Sequence, residues 1–310
     1  MTTPHSESRG VPAPIRTADG PALKQSRKRF RLKRPGTYVF SLLACLGAAN
    51  APERVNPSFP ITRNEAIDLL KHEAKTPFEL ERPLIVCGGI LDVGFGPAFY
   101  ANELGRYLTG GPIVRVAFGD CVSFEACRRR LIYAIDRAIG SGADPEATVE
   151  VDIVGHSMGG LVALYAAAAD PTLGRRVKIR RLYTVSSPLT GAARAAKMPL
   201  DVMTLVRDMR PGSAFYANLA KQPIDFEVVS YTRLRDPIVG EQYASLPGRG
   251  VYWLDGPWWD PPHNGAFRDD RILLDIVRRL RNESPVTRDQ PAAPPTTRPA
   301  AVNPRRAEAR

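Results

Sequence analysis

A serine flanked by glycines two residues away on each side, in Gly155-His156-Ser157-Met158-Gly159, is the group in this chain best placed to act as a nucleophile. A hydroxyl is weak on its own. It needs a base to take its proton and donors to hold the charge that its attack creates. Residues 149–154, VEVDIV, read as a strand, and a helical pattern covers 158–169. A strand that turns abruptly into a helix strains the residue at the junction, so the residues two before and two after must be small. The hydroxyl then stands clear at the helix N-terminus, where the dipole and the Met158 N–H face a developing oxyanion. A glycine-rich strand–helix turn without chemistry is the alternative.

The elements that must carry such a group alternate along the chain. Thr62 and Glu65 have capping-box spacing and open a helix over 63–74. An apolar run at 83–87, ended by Gly88-Gly89, reads as a buried strand, followed by a helix at 98–108 and a strand at 113–118. Ser123 starts a helix that runs to residue 139. Beyond the serine the pattern gives strands at 179–185, 226–231 and 250–254 and a closing helix at 268–280. Apolar strands alternating with helices predict an α/β fold, a mostly parallel central sheet with helices on both faces. In such sheets function gathers at the C-terminal ends of the strands.

Residues 155–160, GHSMGG, resemble the nucleophile elbow of the α/β-hydrolase superfamily, in its lipase/esterase-like branch, and the resemblance covers 80–281. It implies that fold, a small helical cap, and a Ser-acid-His order along the chain. Of the four histidines, His5 lies in the N-terminal tail, His72 precedes the sheet, and His156 must point away from its neighbour Ser157. His263 remains, after the last strand, where the family places its histidine. Asp236 resembles the family's acid, with Asp255 and Asp260 as competitors nearer to His263, and the adjacent Arg233 and Arg235 are expected to keep it ionised. The oxyanion donors are expected to be the N–H groups of Met158 and Ile90, with Gly89 as alternative to Ile90; Gly88-Gly89 stands where many relatives have His-Gly or Pro-Gly. Cys87 reads as a buried strand residue.

The resemblance implies a serine hydrolase that cleaves carboxylic esters, small-molecule or lipid, through an acyl-enzyme. A thioesterase, amidase or acyltransferase on the same triad, or a non-catalytic binding scaffold, is the alternative. A cap insertion spans about 189–222 and holds three of the five methionines. Met198 and Met203 in it, with Leu91 and Trp258, are candidates for contact with an acyl chain. Packing of the cap on the body explains the methionines equally well.

Of 310 residues 44% are hydrophobic, which excludes wholesale disorder, and the net charge of +11 sits largely at the ends. Residues 1–36 hold nine Lys/Arg against two acids, and 282–310 five Arg against three acids, so the body is almost neutral and a basic nucleic-acid groove is not expected. Residues 1–50 read as a basic tail followed by a short apolar signal- or anchor-like segment, predicting export or membrane association, with a cytoplasmic chain as alternative. The domain is expected over 51–281, with a disordered Pro/Ala/Arg-rich tail over 282–310. Cys121 and Cys127 are expected to pair only if the chain is exported. No metal-ligand spacing and no dinucleotide fingerprint occurs, so no cofactor and no metal is expected.

Overall fold

Successive residues of a strand point to opposite faces of its sheet, and in the central strands of this chain both faces are apolar. In β2 (Leu84–Cys87), Ile85 and Cys87 enter one hydrophobic core while Leu84 and Val86 enter another. In β5 (Val151–His156), Ile153 belongs to the first core and Val154 to the second. Strands of this kind are stable only inside a sheet covered on both sides.

The computed structural model describes residues 58–199, 203–291 and 294. These all fall in one compact unit, Glu53–Arg310, and the tail and signal-like segment expected over 1–50 lie outside the described residues. With β4 (Ile113–Val116), β6 (Ile179–Val185), β7 (Glu227–Arg233) and β8 (Tyr252–Leu254), the two central strands form a six-stranded sheet of order β4-β2-β5-β6-β7-β8. Every neighbouring pair in it is parallel.

The first core is closed by α3 (Phe124–Ile139) and α4 (Met158–Ala166). Ser123 caps α3 by accepting from Ala126 N–H, and Phe124, Cys127, Leu131 and Ile135 line its buried face at helical spacing. The second core is closed by α1 (Arg63–Glu73), α2 (Phe95–Leu104) and α9 (Asp270–Leu280). The Thr62–Glu65 capping box expected from the sequence is formed at the start of α1. The expected helical cap consists of the short helices α5 (Ala193–Lys197), α6 (Thr204–Asp208) and α7 (Ala214–Leu219), which pack on the first core through Ala195, Leu205, Val206, Met209 and Tyr216.

The structure departs from the sequence expectations at two places that matter. The helix expected over 98–108 runs instead over Phe95–Leu104, and Leu108–Thr109 forms β3, paired in parallel with β1 (Phe78–Glu79). Gly105 caps the helix, which frees Tyr107 and Leu108 to be buried under that pairing. The tail does not leave the body at residue 282. Asp275 on α9 is fully buried and accepts from Thr287 N–H (2.9 Å), Thr287 Oγ1 (3.1 Å), Tyr231 Oη (2.6 Å) and Arg279 Nε (2.8 Å). Val286 is buried, and Tyr252 Oη donates to the Arg288 carbonyl. A buried carboxylate must be paired and hydrogen-bonded, and here part of its coordination comes from a segment whose composition reads as disordered.

Candidate active site

Ser157 joins the end of β5 to the start of α4 with φ 53° and ψ −129°, a conformation that costs a non-glycine residue on the order of 1–3 kcal/mol. The surroundings enforce it. Ser157 N–H donates to the Val185 carbonyl of β6 (2.9 Å). A methyl group on Gly155 would collide with the backbone of Gly160, and one on Gly159 would lie 2.5 Å from the Gly88 carbonyl oxygen. The small residues therefore let the α4 N-terminus press against both β5 and the loop that follows β2. In that loop the Cα of Gly89 abuts the serine, since a methyl there would lie 3.4 Å from Ser157 Oγ. The next peptide carries Ile90 N–H. Among the described residues neither the Ile90 nor the Met158 amide finds an acceptor; Met158 is the first residue of its helix, where N–H groups lack intrahelical partners.

His263 reaches the serine from the opposite side. Its Nε2 lies 2.9 Å from Ser157 Oγ and its Nδ1 2.8 Å from Asp236 Oδ2, and all three residues are buried. The carboxylate accepts, so Nδ1 carries the proton and Nε2 is the lone-pair nitrogen facing the hydroxyl. Asp236 follows β7, and its other oxygen accepts from Ile238 N–H (2.9 Å) and Val239 N–H (3.2 Å). Burial works to raise its pKa, but the His263 hydrogen bond and charge, together with the two amides, outweigh burial and hold the carboxyl below its ordinary value of 3.8.

Arg233 and Arg235, expected to face Asp236, do not. Arg233 is 1% exposed and pairs with Asp260 (2.6 Å) and Asp269 (2.7 Å), while Arg235 pairs with Asp255. The two competitor aspartates are thereby committed elsewhere. Asp260 and Asp269 bracket α8 (Pro262–Ala266), a one-turn helix that carries His263 and that the sequence reading missed; Pro262 in its first turn is the signal that marks it. Gly265 of α8 sits on the Arg233 guanidinium so closely that a methyl group there would overlap it. Arg233 is thus a functional-site residue for which sequence holds no local signal, because its partners lie 27 and 36 positions away.

His156 behaves as its position requires. It stacks on Phe267 (4.4 Å between centroids, 15° between planes), and its Nε2 lies 3.3 Å from the His263 carbonyl. Burial, with a smaller contribution from the His263 charge, lowers its pKa to about 3, so it stays neutral. Burial pushes the Cys87 thiol far above its ordinary range, which removes it as a nucleophile. Cys121 and Cys127 are buried free thiols.

The four candidate substrate contacts divide. Met198 and Met203 are half-buried against the first core. Leu91 is 63% and Trp258 87% exposed, so neither lines an enclosed acyl pocket. They belong to a rim. Leu91, Val93, Phe95, Phe99, Val122, Trp258 and Trp259 are exposed apolar residues beyond the C-terminal ends of β2, β4 and β8. Phe95 and Phe99 share a cleft of about 480 Å³ with His156 and Asn264, the chain neighbours of Ser157 and His263, which do not themselves line it.

Residues 129–250, which include Ser157 and Asp236 but not His263, match the family described as PGAP1-like alpha/beta domain. No curated protein sequence matches the chain. Among solved structures, the product of Listeria innocua gene lin2722 is 14% identical with TM-score 0.47, covering 67% of this chain and 96% of that one. The mature Bacillus licheniformis lipase BlEst2 is 16% identical (TM-score 0.45; 69% and 95% covered). The metagenomic carboxyl esterase MGS0156 is 14% identical (TM-score 0.45; 77% and 99% covered). The parallel sheet and its elbow between β5 and α4 give the chain an α/β-hydrolase fold, and the PGAP1-like match over residues 129–250 spans that elbow.

Proposed function

We propose that this protein hydrolyses carboxylic esters with apolar acyl groups through a Ser157–His263–Asp236 triad. Ser157 Oγ attacks the ester carbonyl as His263 Nε2 takes its proton, and the Met158 and Ile90 N–H groups hold the oxyanion. Collapse of the tetrahedral species returns that proton to the departing alcohol and leaves an acyl-serine. Water, deprotonated by His263, then releases the acid and restores the serine.

The observation that carries this reading is the unbroken relay of 2.9 Å and 2.8 Å from hydroxyl to imidazole to carboxylate, built on a strained elbow. The exposed apolar rim supports an apolar or lipid ester presented at an interface. The basic-then-apolar order of residues 24–49 supports attachment of the protein to a membrane surface. Among the described residues no helix is long and apolar enough to cross a membrane.

A fluorophosphonate probe is expected to label Ser157, and p-nitrophenyl esters of graded acyl length to be turned over by wild type but not by Ser157→Ala. A folded wild type that neither labels nor turns over any ester in the series overturns the proposal.

A further inference from the structure

Between the cap and the C-terminal half of α4 lies a cavity of about 420 Å³ that the hydrolytic reading does not use. It is open to solvent on one side, where Ala220, Pro223, Pro247 and Arg249 are exposed, and its volume falls in the range of sites that hold small-molecule ligands. Leu164 lies seven residues along α4 from Ser157, about 10 Å along the helix axis, and neither Ser157 nor His263 lines the cavity.

Its walls are apolar, formed by Leu164, Leu189, Leu219 and Phe226 among others. The hydroxyls in the lining are spent on the protein itself, Tyr216 Oη on the Pro188 carbonyl and Thr190 Oγ1 on the Tyr243 carbonyl. One charged side chain lines it, the exposed Arg249, and the lining contains no carboxylate. None of the ion pairs formed by the described residues includes Arg249. An apolar pocket with an uncommitted guanidinium and the Gln222 carboxamide at its edge suits an alkyl chain ending in an anionic head, of which a carboxylate is the simplest.

We propose that this cavity is a second binding site, separate from the serine, for a medium-chain fatty carboxylate. Binding there does not depend on turnover at Ser157.

The test is calorimetric titration of the full chain with decanoate, below its micellar concentration, and with decan-1-ol, which has the same tail without the charge. Arg249→Glu is expected to weaken decanoate at least tenfold and decanol less than twofold. Ala220→Trp places bulk at an exposed lining position and is expected to abolish binding of both while thermal unfolding is unchanged. Ser157→Ala, and wild type carrying a phosphonate on Ser157, are expected to bind decanoate as untreated protein does. Absence of saturable binding overturns the proposal. So does equal weakening of both ligands by Arg249→Glu, or loss of binding on phosphonylation, which assigns the carboxylate to the cleft at Ser157. If the serine does not label, the hydrolytic reading fails, and the Arg249 and Ala220 variants still decide this one.

Discussion

The two halves of the proposed active site are held by different physics. The serine half is made of contacts within one strand–turn–helix and the loop of the neighbouring strand, and its constraint is steric: methyl groups on Gly155, Gly159 or Gly160 would meet backbone or buried side-chain atoms. The histidine half is made of hydrogen bonds and ion pairs between segments far apart in the chain. Asp236 follows β7, His263 rides on α8, and Arg233 ties both flanks of α8 to the end of β7. Steric constraint comes with the local sequence, whereas the electrostatic constraint exists only once the sheet is assembled. The first half should therefore fail by distortion, and the second by loosening or by the wrong proton.

The largest effect is expected on the histidine side. Asp236→Asn keeps an oxygen for the Ile238 and Val239 amides but turns an N–H₂ toward His263, which favours the tautomer with its proton on Nε2. That proton opposes the serine hydroxyl. A fall of about 10⁴-fold in kcat/KM is expected at nearly unchanged stability. Steady-state kinetics on a p-nitrophenyl ester check it, and a loss below tenfold would transfer the orienting role away from Asp236.

The same division decides how much was legible in the sequence. The fold class and the six strands of the sheet could be read, because strands apolar on both faces and capped amphipathic helices are local signals; Ser123 and the Thr62–Glu65 pair start helices where expected. Ser157 was legible from five consecutive residues. Asp236 and His263 came from chain order in a resemblance, and the structure brings them together. Arg233 was misread because adjacency in sequence suggested Asp236, while the strand geometry sends its side chain to Asp260 and Asp269. The segment up to Asp289 was taken for disordered tail because composition cannot register a single buried carboxylate that needs the Thr287 amide and hydroxyl.

Breaking the clamp is expected to cost less than misplacing the proton. Arg233→Met leaves Asp269, fully buried, with Arg271 as its remaining arginine partner and frees one flank of α8. Removing one member of a buried ion network typically costs about 3–5 kcal/mol, and urea unfolding is expected to show a loss toward the lower end of that range. Arg233→Lys is expected to recover only part of it, since an ammonium cannot bridge two carboxylates as a fork does. On the steric side, Gly159→Ala sets a methyl 2.5 Å from the Gly88 oxygen and 2.7 Å from the Cys87 oxygen, both backbone atoms. A loss of about 1–3 kcal/mol is expected, with activity reduced further because the elbow and the Gly89–Ile90 loop are forced apart. Equal stability of Gly159→Ala and wild type would refute the steric account.

The smallest effect at neutral pH is expected at the contact between the two halves. The His156 ring stacks on Phe267 and meets the His263 carbonyl, so His156→Phe preserves the stack and loses one hydrogen bond, about 1 kcal/mol. Its pH dependence is more telling. The folded His156 titrates near 3 and the unfolded one near the ordinary 6.5, so between those values the unfolded chain binds the extra proton. Stability must then fall with falling pH by about 1.4 kcal/mol per unit across that window. Asp236 acts in the same direction but lower: its stabilisation is present above 3.8 and is lost only as pH drops through the depressed folded value. Replacing His156 with Phe is accordingly expected to flatten the stability profile between pH 6.5 and 4 and to leave the steeper fall below 4 in place. Urea titrations across that range measure both slopes, and an unchanged slope above pH 4 would mean that the ring accepts a proton inside the fold, contrary to its burial beneath the elbow.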